Sequence, residues 1–82
     1  MSGKRVEVRA KMAGVFYRSA GPDEPAYVEV GDQVTKKQVL ALLETMKVFQ
    51  KVKSPAAGKI LEIVAENEKP LVDDDLMFII ES

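Results

Sequence analysis

The 82-residue chain contains no cysteine and no histidine. Without thiols there can be no disulfide, no thiolate nucleophile and no cysteine-based metal or cluster site. Without imidazole the serine-histidine-aspartate and cysteine-histidine catalytic sets are excluded, together with the commonest general base and zinc ligand. We therefore expect a protein without catalytic residues or a metal site of its own, and the lack of cysteine is compatible with a cytoplasmic location.

Long apolar runs and an excess of one charge are also missing. The longest stretches without a charged residue are six residues long, at 12–17 and 38–43, whereas a membrane-spanning helix needs about 20. The first residues do not have the charged, apolar and small-residue pattern of a secretory leader, so we do not expect one. The net charge of −1, from 12 basic and 13 acidic residues, gives no overall attraction to nucleic acid or to an anionic membrane. Neither is expected as a partner.

The residues that are present are those of an ordinary folded domain, with 46% hydrophobic and 30% charged residues. A chain of this length forms one domain with a modest core. We predict a single domain over residues 1–82.

The hydrophobic pattern is that of β-strands. Apolar and polar residues alternate at 4–9 and again at 27–30, the period of a half-buried strand. Further short runs of β-branched and large apolar residues lie at 15–18, 39–43, 48–52, 59–64, 71–72 and 76–80. No segment shows a convincing helical period. Eight short strands predict an all-β barrel or sandwich.

The two halves of the chain resemble each other. Residues 13–16 match residues 57–60 at an offset of 44, and residues 34–44 can be aligned with 71–81 at an offset of 37. The difference, 44 − 37 = 7, means that the first half has about seven extra residues, which we place in a proline-containing loop at 19–26. The pattern predicts two interlocked four-stranded units related by a pseudo-twofold axis.

Lys47 lies where the two halves join. It falls within the segment 44–48, Glu-Thr-Met-Lys-Val, between two predicted strands. The sequence therefore predicts that Lys47 is exposed at the tip of a hairpin. An exposed turn is also the commonest location of any lysine, so the position alone does not distinguish an attachment site from an ordinary surface residue.

The segment 44–48 resembles the Glu-Ala-Met-Lys-Met biotin-attachment motif of biotinyl domains. Residues 12–19, 22–23 and 28–32 are similar to the biotin carboxyl carrier group of this family, which serves acetyl-CoA carboxylase. The resemblance implies a flattened barrel of two four-stranded antiparallel sheets, with biotin attached covalently to Lys47. It also implies that the loop at 19–26 corresponds to a thumb-like projection close to the biotin.

The same resemblance implies partners and contact residues. A biotin protein ligase would modify Lys47, and a biotin carboxylase and a carboxyltransferase would use the carried group; the domain itself would not be an enzyme. Met46, Glu44 and Val48 belong to the motif, and the hydroxyl of Ser19 could reach the ureido group of biotin. Hairpin packing for Met46, a polar strand end for Glu44 and an ordinary loop hydroxyl for Ser19 are the alternative interpretations.

The motif departs from the biotinyl pattern at two positions. Thr45 replaces the usual alanine and is also found in the Glu-Thr-Asp-Lys-Ala pattern of lipoyl domains, whereas Met46 favours biotin; Val48 replaces the usual methionine. A lipoyl carrier domain of a 2-oxo-acid dehydrogenase-type complex is therefore the first alternative. The second is an unmodified β-barrel that binds partners, with a basic and aromatic face formed by Lys51, Lys53, Lys59, Phe16, Tyr17 and Phe49.

One acidic cluster, residues 73–75, could suggest a metal site. It has no glycine-centred calcium loop and no distant set of ligands. We interpret it as a solvated turn.

Overall fold

The computed structural model describes residues 3–82 and contains eight β-strands and no helix in this range. In chain order the strands are β1 (Arg5–Arg9), β2 (Gly14–Tyr17), β3 (Gln33–Val34), β4 (Val39–Thr45), β5 (Val48–Lys53), β6 (Gly58–Ile63), β7 (Lys69–Leu71) and β8 (Leu76–Glu81). The predicted all-β fold is confirmed.

The strands form two antiparallel four-stranded sheets, with the orders β1-β8-β6-β3 and β5-β4-β2-β7. Replacing each strand by the one four places away in the chain, so that β1 exchanges with β5 and β2 with β6, converts the first order into the second. Each sheet therefore takes two strands from each half of the chain. The predicted interlocking of two units related by a pseudo-twofold axis is confirmed.

The sequence offsets of the repeat recur in the backbone hydrogen bonds. The Gly31 N–H donates to the Ile60 carbonyl (2.8 Å), and the Glu68 N–H donates to the Phe16 carbonyl (2.6 Å). The two donors differ by 68 − 31 = 37 and the two acceptors by 60 − 16 = 44. In this pair of equivalent hydrogen bonds, the donors are therefore separated by one of the sequence offsets and the acceptors by the other.

The turns before β4 and β8 are also counterparts. Lys37 and Asp74, which are 37 residues apart, both have left-handed backbones with φ of 74° and 76°. The Lys37 N–H donates to the Ser54 carbonyl and the Asp74 N–H to the Ala10 carbonyl, each at 2.8 Å. The same turn is therefore built with a basic residue in one half and an acidic residue in the other.

The hydrophobic core fills the space between the sheets. Phe16 from one sheet and Phe78 from the other are fully buried, with ring centroids 5.7 Å apart and planes tilted by 55°. Leu40 and Met77, another pair 37 residues apart, are buried at corresponding register shifts, where β4 pairs with β5 and where β8 pairs with β1. Burying each such side chain stabilises the fold by about 1.5–3 kcal/mol.

The predicted strand at 27–30 is wrong. Between β2 and β4 the only strand is β3, at Gln33–Val34, and residues 27–30 lie outside any strand. Val28 is buried in the core, which explains the alternating pattern. However, the Glu29 N–H donates to the Asp32 carboxylate (2.9 Å) and the Asp32 N–H to the Glu29 carbonyl (3.1 Å). These turn bonds satisfy backbone groups that a strand would offer to a neighbour.

The position of β7 also differs from the prediction of a strand at 71–72 preceded by a turn at 66–69. The strand begins at Lys69 and contains Pro70. Proline cannot donate to a ladder, but β7 lies at the edge of its sheet and pairs only with β2, so no donor is lost there.

Two glycines allow close backbone approaches at equivalent positions, 58 − 14 = 44 residues apart. A Cβ at Gly14 would lie 2.7 Å from the Glu44 carbonyl oxygen, and a Cβ at Gly58 would collide with the Glu81 carbonyl oxygen. We expect Gly14→Ala and Gly58→Ala each to lower the free energy of unfolding, measured by urea denaturation, by about 1–3 kcal/mol because the backbones must separate.

The matched control is Gly21→Ala, because the only atom near its added Cβ is the Glu24 Cγ at 3.8 Å. This variant should change the free energy of unfolding by less than about 0.5 kcal/mol. Equal stability of the Gly14 and Gly21 variants would contradict the close approach at β2.

Candidate functional site

Lys47 lies in a two-residue hairpin turn between β4 and β5. Thr45 and Val48 form the last pair of the ladder, and Met46 and Lys47 connect them with φ of 46° and 71°. Positive φ at both central residues is typical of a type I′ turn, whose twist matches that of the flanking strands. Because neither residue is a glycine, each left-handed backbone costs of order 1–3 kcal/mol. The ladder on either side must supply this free energy.

The tip of this hairpin is open to solvent. Met46 is 95% exposed and Val48 is 52% exposed, and Lys47 between them is exposed as well. Within residues 3–82 the Lys47 amine takes part in none of the ion pairs or side-chain hydrogen bonds. A second protein could therefore reach the amine without any rearrangement of the hairpin.

Side chains on the outer face of the sheet brace the base of the hairpin. Register places Phe49 opposite Glu44, and Tyr17 lies on the neighbouring strand β2. The Tyr17 hydroxyl donates to Glu44 Oε1 (3.1 Å), and the rings of Tyr17 and Phe49 are 5.8 Å apart at 59°. These contacts connect β2, β4 and β5 immediately before the turn.

The hydrogen bond between Tyr17 and Glu44 also affects the ionisation of the phenol. Donation to the Glu44 carboxylate, followed by desolvation and by the negative charges of Glu44 and Glu68, raises the pKa of Tyr17 above its ordinary value of 10.0. The cause is that a phenolate could not donate this bond and would face two carboxylates.

The loop at residues 19–26, termed the thumb loop, is closed by its own hydrogen bonds. Ser19 and Ala26 form an isolated β-bridge, and the Tyr27 N–H donates to the Arg18 carbonyl (2.8 Å) at the base of the loop. The Ser19 hydroxyl donates to the Gly21 carbonyl (2.8 Å). The loop is therefore closed at its base and held by hydrogen bonds within the segment 18–27.

Arg18 anchors the base of the thumb loop. Its guanidinium donates to the Val28 carbonyl (3.1 Å) and to the Glu29 carboxylate (2.9 Å), while its backbone N–H donates to Asn67 Oδ1 (2.9 Å). The bond to Glu29 is also an ion pair, which makes it stronger than a hydrogen bond between neutral groups. Arg18 thus links the loop to the β6–β7 connection, which lies 49 residues away in the chain.

A cleft of about 610 Å³ separates the thumb loop from the outer face of the sheet. Tyr17, Glu44 and Phe49 line it from the sheet, Ser19 lines it from the loop, and Asn67 from the opposite side. The cleft thus combines an aromatic surface with hydrogen-bond acceptors. The predicted residues Ser19 and Glu44 meet here, whereas Met46, Lys47 and Val48 are not among its lining residues and lie at the hairpin tip.

These features are compatible with a biotinyl group attached to Lys47. Lys47 offers an accessible amine for a covalent link. The neighbouring cleft offers aromatic surface from Phe49, and oxygen acceptors from Glu44 and Ser19 for the N–H groups of a ureido ring. The residues present are therefore suited to hold biotin at this end of the sheet.

The sequence did not assign Tyr17, Phe49 or Asn67 to this site. A two-residue turn at 46–47 places Phe49 opposite Glu44, so the motif contained enough information to find Phe49. The contribution of Tyr17 requires the pairing of β2 with β4. Asn67 had no local signal, because it meets Arg18 only through the tertiary fold.

The acidic turn at 73–75 takes part in backbone contacts. The Val72 N–H donates to the Asp75 carboxylate (2.9 Å). Across residues 3–82 there is no group of three or more carboxylate side chains arranged to hold a metal ion. No helix in the same residues is long and apolar enough to span a membrane.

The structure thus consists of two equivalent four-stranded sheets, with a lysine exposed on the hairpin that joins the two halves of the chain. The family model that matches the chain over residues 6–80 is the biotinyl/lipoyl model described as "Biotin-requiring enzyme". The chain belongs to this family, which confirms the resemblance seen in the sequence.

Curated relatives carry names from the biotin branch of the family. The chain is 43% identical over 74 residues to the biotin carboxyl carrier protein of acetyl-CoA carboxylase 1 from Arabidopsis thaliana, covering 90% of this chain and 26% of that protein. It is 38% identical over 73 residues to the corresponding Pseudomonas aeruginosa protein, covering 89% and 47%. The chain thus spans between a quarter and a half of the length of these relatives.

A solved structure shows the same fold. The Kluyveromyces lactis urea carboxylase matches with a TM-score of 0.78 and 22% sequence identity, over 94% of this chain and 6% of that chain. At this identity the likeness concerns the fold alone. It confirms the predicted arrangement of two four-stranded sheets.

The Tyr17–Glu44 bond gives a prediction about pH. The raised pKa of Tyr17 in the folded state means that the bond stabilises the fold fully below about pH 10, the ordinary pKa of tyrosine. This contribution is lost as the pH rises through the higher folded-state pKa. We expect Tyr17→Phe to remove the late-ionising phenol from an alkaline absorbance titration.

Tyr27→Phe is the control, because no side-chain hydrogen bond of the Tyr27 phenol occurs within residues 3–82. The stability difference between wild type and Tyr17→Phe should be constant near neutral pH and shrink in alkali. A late titration phase that survives Tyr17→Phe would show that it belongs to another group.

Proposed function

We propose that the chain is the biotin carrier domain of a biotin-dependent acyl-CoA carboxylase, with acetyl-CoA carboxylase as the assembly, and that biotin is attached to Nζ of Lys47. The observation that carries this proposal is the exposure of Lys47 in a type I′ turn whose two residues have positive φ. The names of the relatives support biotin as the cargo and acetyl-CoA carboxylase as the assembly.

Attachment requires presentation of the lysine rather than catalysis by this domain. The Lys47 amine, once deprotonated, attacks the acyl carbon of a biotinyl adenylate held by a biotin protein ligase. An amide forms and AMP leaves with the electron pair of the broken bond. The ladder of β4 and β5 holds the backbone of Lys47 in position for this reaction, and the ligase supplies the activated acyl group.

When bound, biotin supplies a carrier for a carboxyl group between a biotin carboxylase, which uses ATP and bicarbonate, and a carboxyltransferase. The domain contributes a movable attachment point and no catalytic residue. Tethering of this kind replaces free diffusion by an effective concentration in the millimolar range when the linker is short.

We assign different roles to the motif residues on the basis of their exposure and hydrogen bonds. Met46 is too exposed to pack at the hairpin tip. We therefore assign Met46 and the half-exposed Val48 to recognition by the ligase. The Glu44 carboxylate accepts a bond from Tyr17, which supports its role as a brace of the strand end. The Ser19 hydroxyl already donates its proton to Gly21, so toward biotin it would act as an acceptor of a ureido N–H.

The attachment site can be tested by intact-mass measurement. Co-expression with a biotin protein ligase should add one biotinyl group to the wild-type chain, and Lys47→Arg should abolish the addition because no other lysine occupies the hairpin tip. Lys51→Arg, on the same hairpin but within β5, is the matched control and should be modified like the wild type.

An unmodified wild-type chain under these conditions would refute the proposed attachment. A lipoyl mass in cells that contain both ligases would instead favour a carrier domain of a 2-oxo-acid dehydrogenase-type complex. Biotinylation of the Lys47→Arg chain would show that biotin is attached to another lysine.

The role of the thumb loop can be tested by removing it. In the second half of the chain, the counterparts of Arg18 and Tyr27 are Glu62 (18 + 44) and Val64 (27 + 37), which a single residue connects. Replacing residues 19–26 by one glycine therefore gives this connection the length that the sequence offsets assign to its counterpart. We expect this variant to keep the unfolding transition of the wild type and to show altered carboxyl transfer and a more mobile biotin in NMR spectra.

The control for this deletion is Ser19→Ala, which preserves the loop and removes one hydroxyl. If the deletion variant is unfolded by circular dichroism, the loop is structural and the proposed contact with biotin loses its support. If the variant is folded and biotin mobility is unchanged, the loop does not touch the carried group.

A further inference from the structure

Four lysines lie together along one side of the hairpin sheet. Lys51 and Lys53 are in β5, and Lys36 and Lys37 are in the turn before β4. Lys53 pairs with Val39 at the start of β4, and the Lys37 N–H donates to the carbonyl of the residue after Lys53 (2.8 Å). All four side chains are exposed. These four residues are termed the lysine edge.

The lysine edge is not neutralised by neighbouring carboxylates. Residues 36–59 contain six lysines and one acidic residue, Glu44, whereas residues 60–82 contain seven acidic residues and one lysine. The ion pairs within residues 3–82 join Arg9 to Glu7 and Arg18 to Glu29, and the Glu44 carboxylate is bonded to Tyr17. A local charge of about +4 is therefore left facing solvent.

The turn does not require lysine for its conformation. The counterparts of Lys36 and Lys37, 37 residues later, are Asp73 and Asp74. The backbones of Lys37 and Asp74 have nearly the same φ and make equivalent hydrogen bonds. Because the same turn forms with side chains of opposite charge, folding does not explain the two lysines.

The edge strands β5 and β1 can be compared in the same way. The counterparts of Lys51 and Lys53, 44 residues earlier, are Glu7 and Arg9 in β1, which is an edge strand of the other sheet. Glu7 and Arg9 form an ion pair of 2.9 Å. The surface related to the lysine edge by the pseudo-twofold axis thus contains a neutral pair and two aspartates, with a charge of about −2 at neutral pH.

Protection of a sheet edge explains only part of the lysine edge. Lysines on an exposed edge strand prevent another strand from pairing with it, and this accounts for Lys51 and Lys53. It does not account for Lys36 and Lys37, which lie in a turn. Of the two surfaces related by the pseudo-twofold axis, the one with the excess positive charge is the one next to the Lys47 hairpin.

The lysine edge is close enough to Lys47 to share one protein interface with it. Strand β5 starts next to Lys47 and reaches Lys53 five residues later, a distance of about 16 Å. Phe49, which is 55% exposed, lies between them on the same strand. An exposed aromatic residue beside a charged rim is a common composition for a protein interface.

We propose that the lysine edge docks the domain onto an acidic protein surface beside the active-site entrance of the biotin carboxylase. This inference rests on the proposed biotin-carrier function. A carried carboxyl group is an anion, so an acidic surface would disfavour its arrival and favour its departure. Such a surface suits the biotin carboxylase, because this enzyme receives biotin without the carboxyl group and releases it with the negatively charged carboxyl group attached. Complementary charge would act mainly on the rate of association.

Binding can be measured without biotin by using the full chain with Lys47→Arg, which retains the positive charge at the tip. The association rate constant with the biotin carboxylase would be measured by stopped flow at several salt concentrations. We expect the double variant Lys51→Glu and Lys53→Glu to lower this rate constant at least about tenfold at low salt and to reduce its salt dependence. The milder Lys51→Gln and Lys53→Gln pair should give an intermediate effect.

The matched control is the double variant Lys4→Glu and Lys69→Glu, which changes the net charge by the same amount at exposed positions outside the lysine edge. Circular dichroism of each variant would be used to check that it is folded. Equal slowing by both double variants, or no slowing by either, would overturn the docking site. If the lysine-edge substitutions slow association with the biotin protein ligase but not with the biotin carboxylase, the choice of partner is overturned.

The intact-mass measurement separates this inference from the function on which it rests. If the wild-type chain is biotinylated and the lysine-edge variants associate normally, only the docking site is refuted. If the wild-type chain is not biotinylated, the proposed function fails independently of the association rates.

Discussion

The antiparallel pairing of β4 with β5 is the interaction on which the site depends. It holds Met46 and Lys47 in left-handed conformations that neither side chain favours, and so keeps the lysine at the point of sharpest curvature. The bond from Tyr17 to Glu44 secures the same ladder from the neighbouring strand. The domain therefore uses its rigidity to position one flexible side chain at the protein surface.

The hairpin and the repeat could be predicted because both are encoded locally. Apolar strands on either side of residues 46–47 identify the turn, and two short matches identify the duplication. The strand predicted at 27–30 was wrong because burial of Val28 produces the same alternation as strand pairing. The cleft could not be predicted, since the contact of Arg18 with Asn67 depends on how the two halves interlock.

The internal duplication allows each half to be compared with the other. Where the halves agree, as in the turn hydrogen bonds and the bulges of β4 and β8, the common feature reflects the requirements of the fold. Where they differ, the difference concerns the end of the molecule that bears Lys47. The thumb loop and the unpaired lysines of β5 both belong to this second class.

The pairing of β1 with β8 is the pseudo-twofold counterpart of the hairpin that carries Lys47. The Ser82 N–H donates to the Lys4 carbonyl (2.9 Å), and these residues correspond to Thr45 (82 − 37) and Val48 (4 + 44). Lys4 and Ser82 therefore lie side by side at the position equivalent to the Lys47 turn. A circularly permuted chain, closed there by a connection as short as two residues, would keep both sheets.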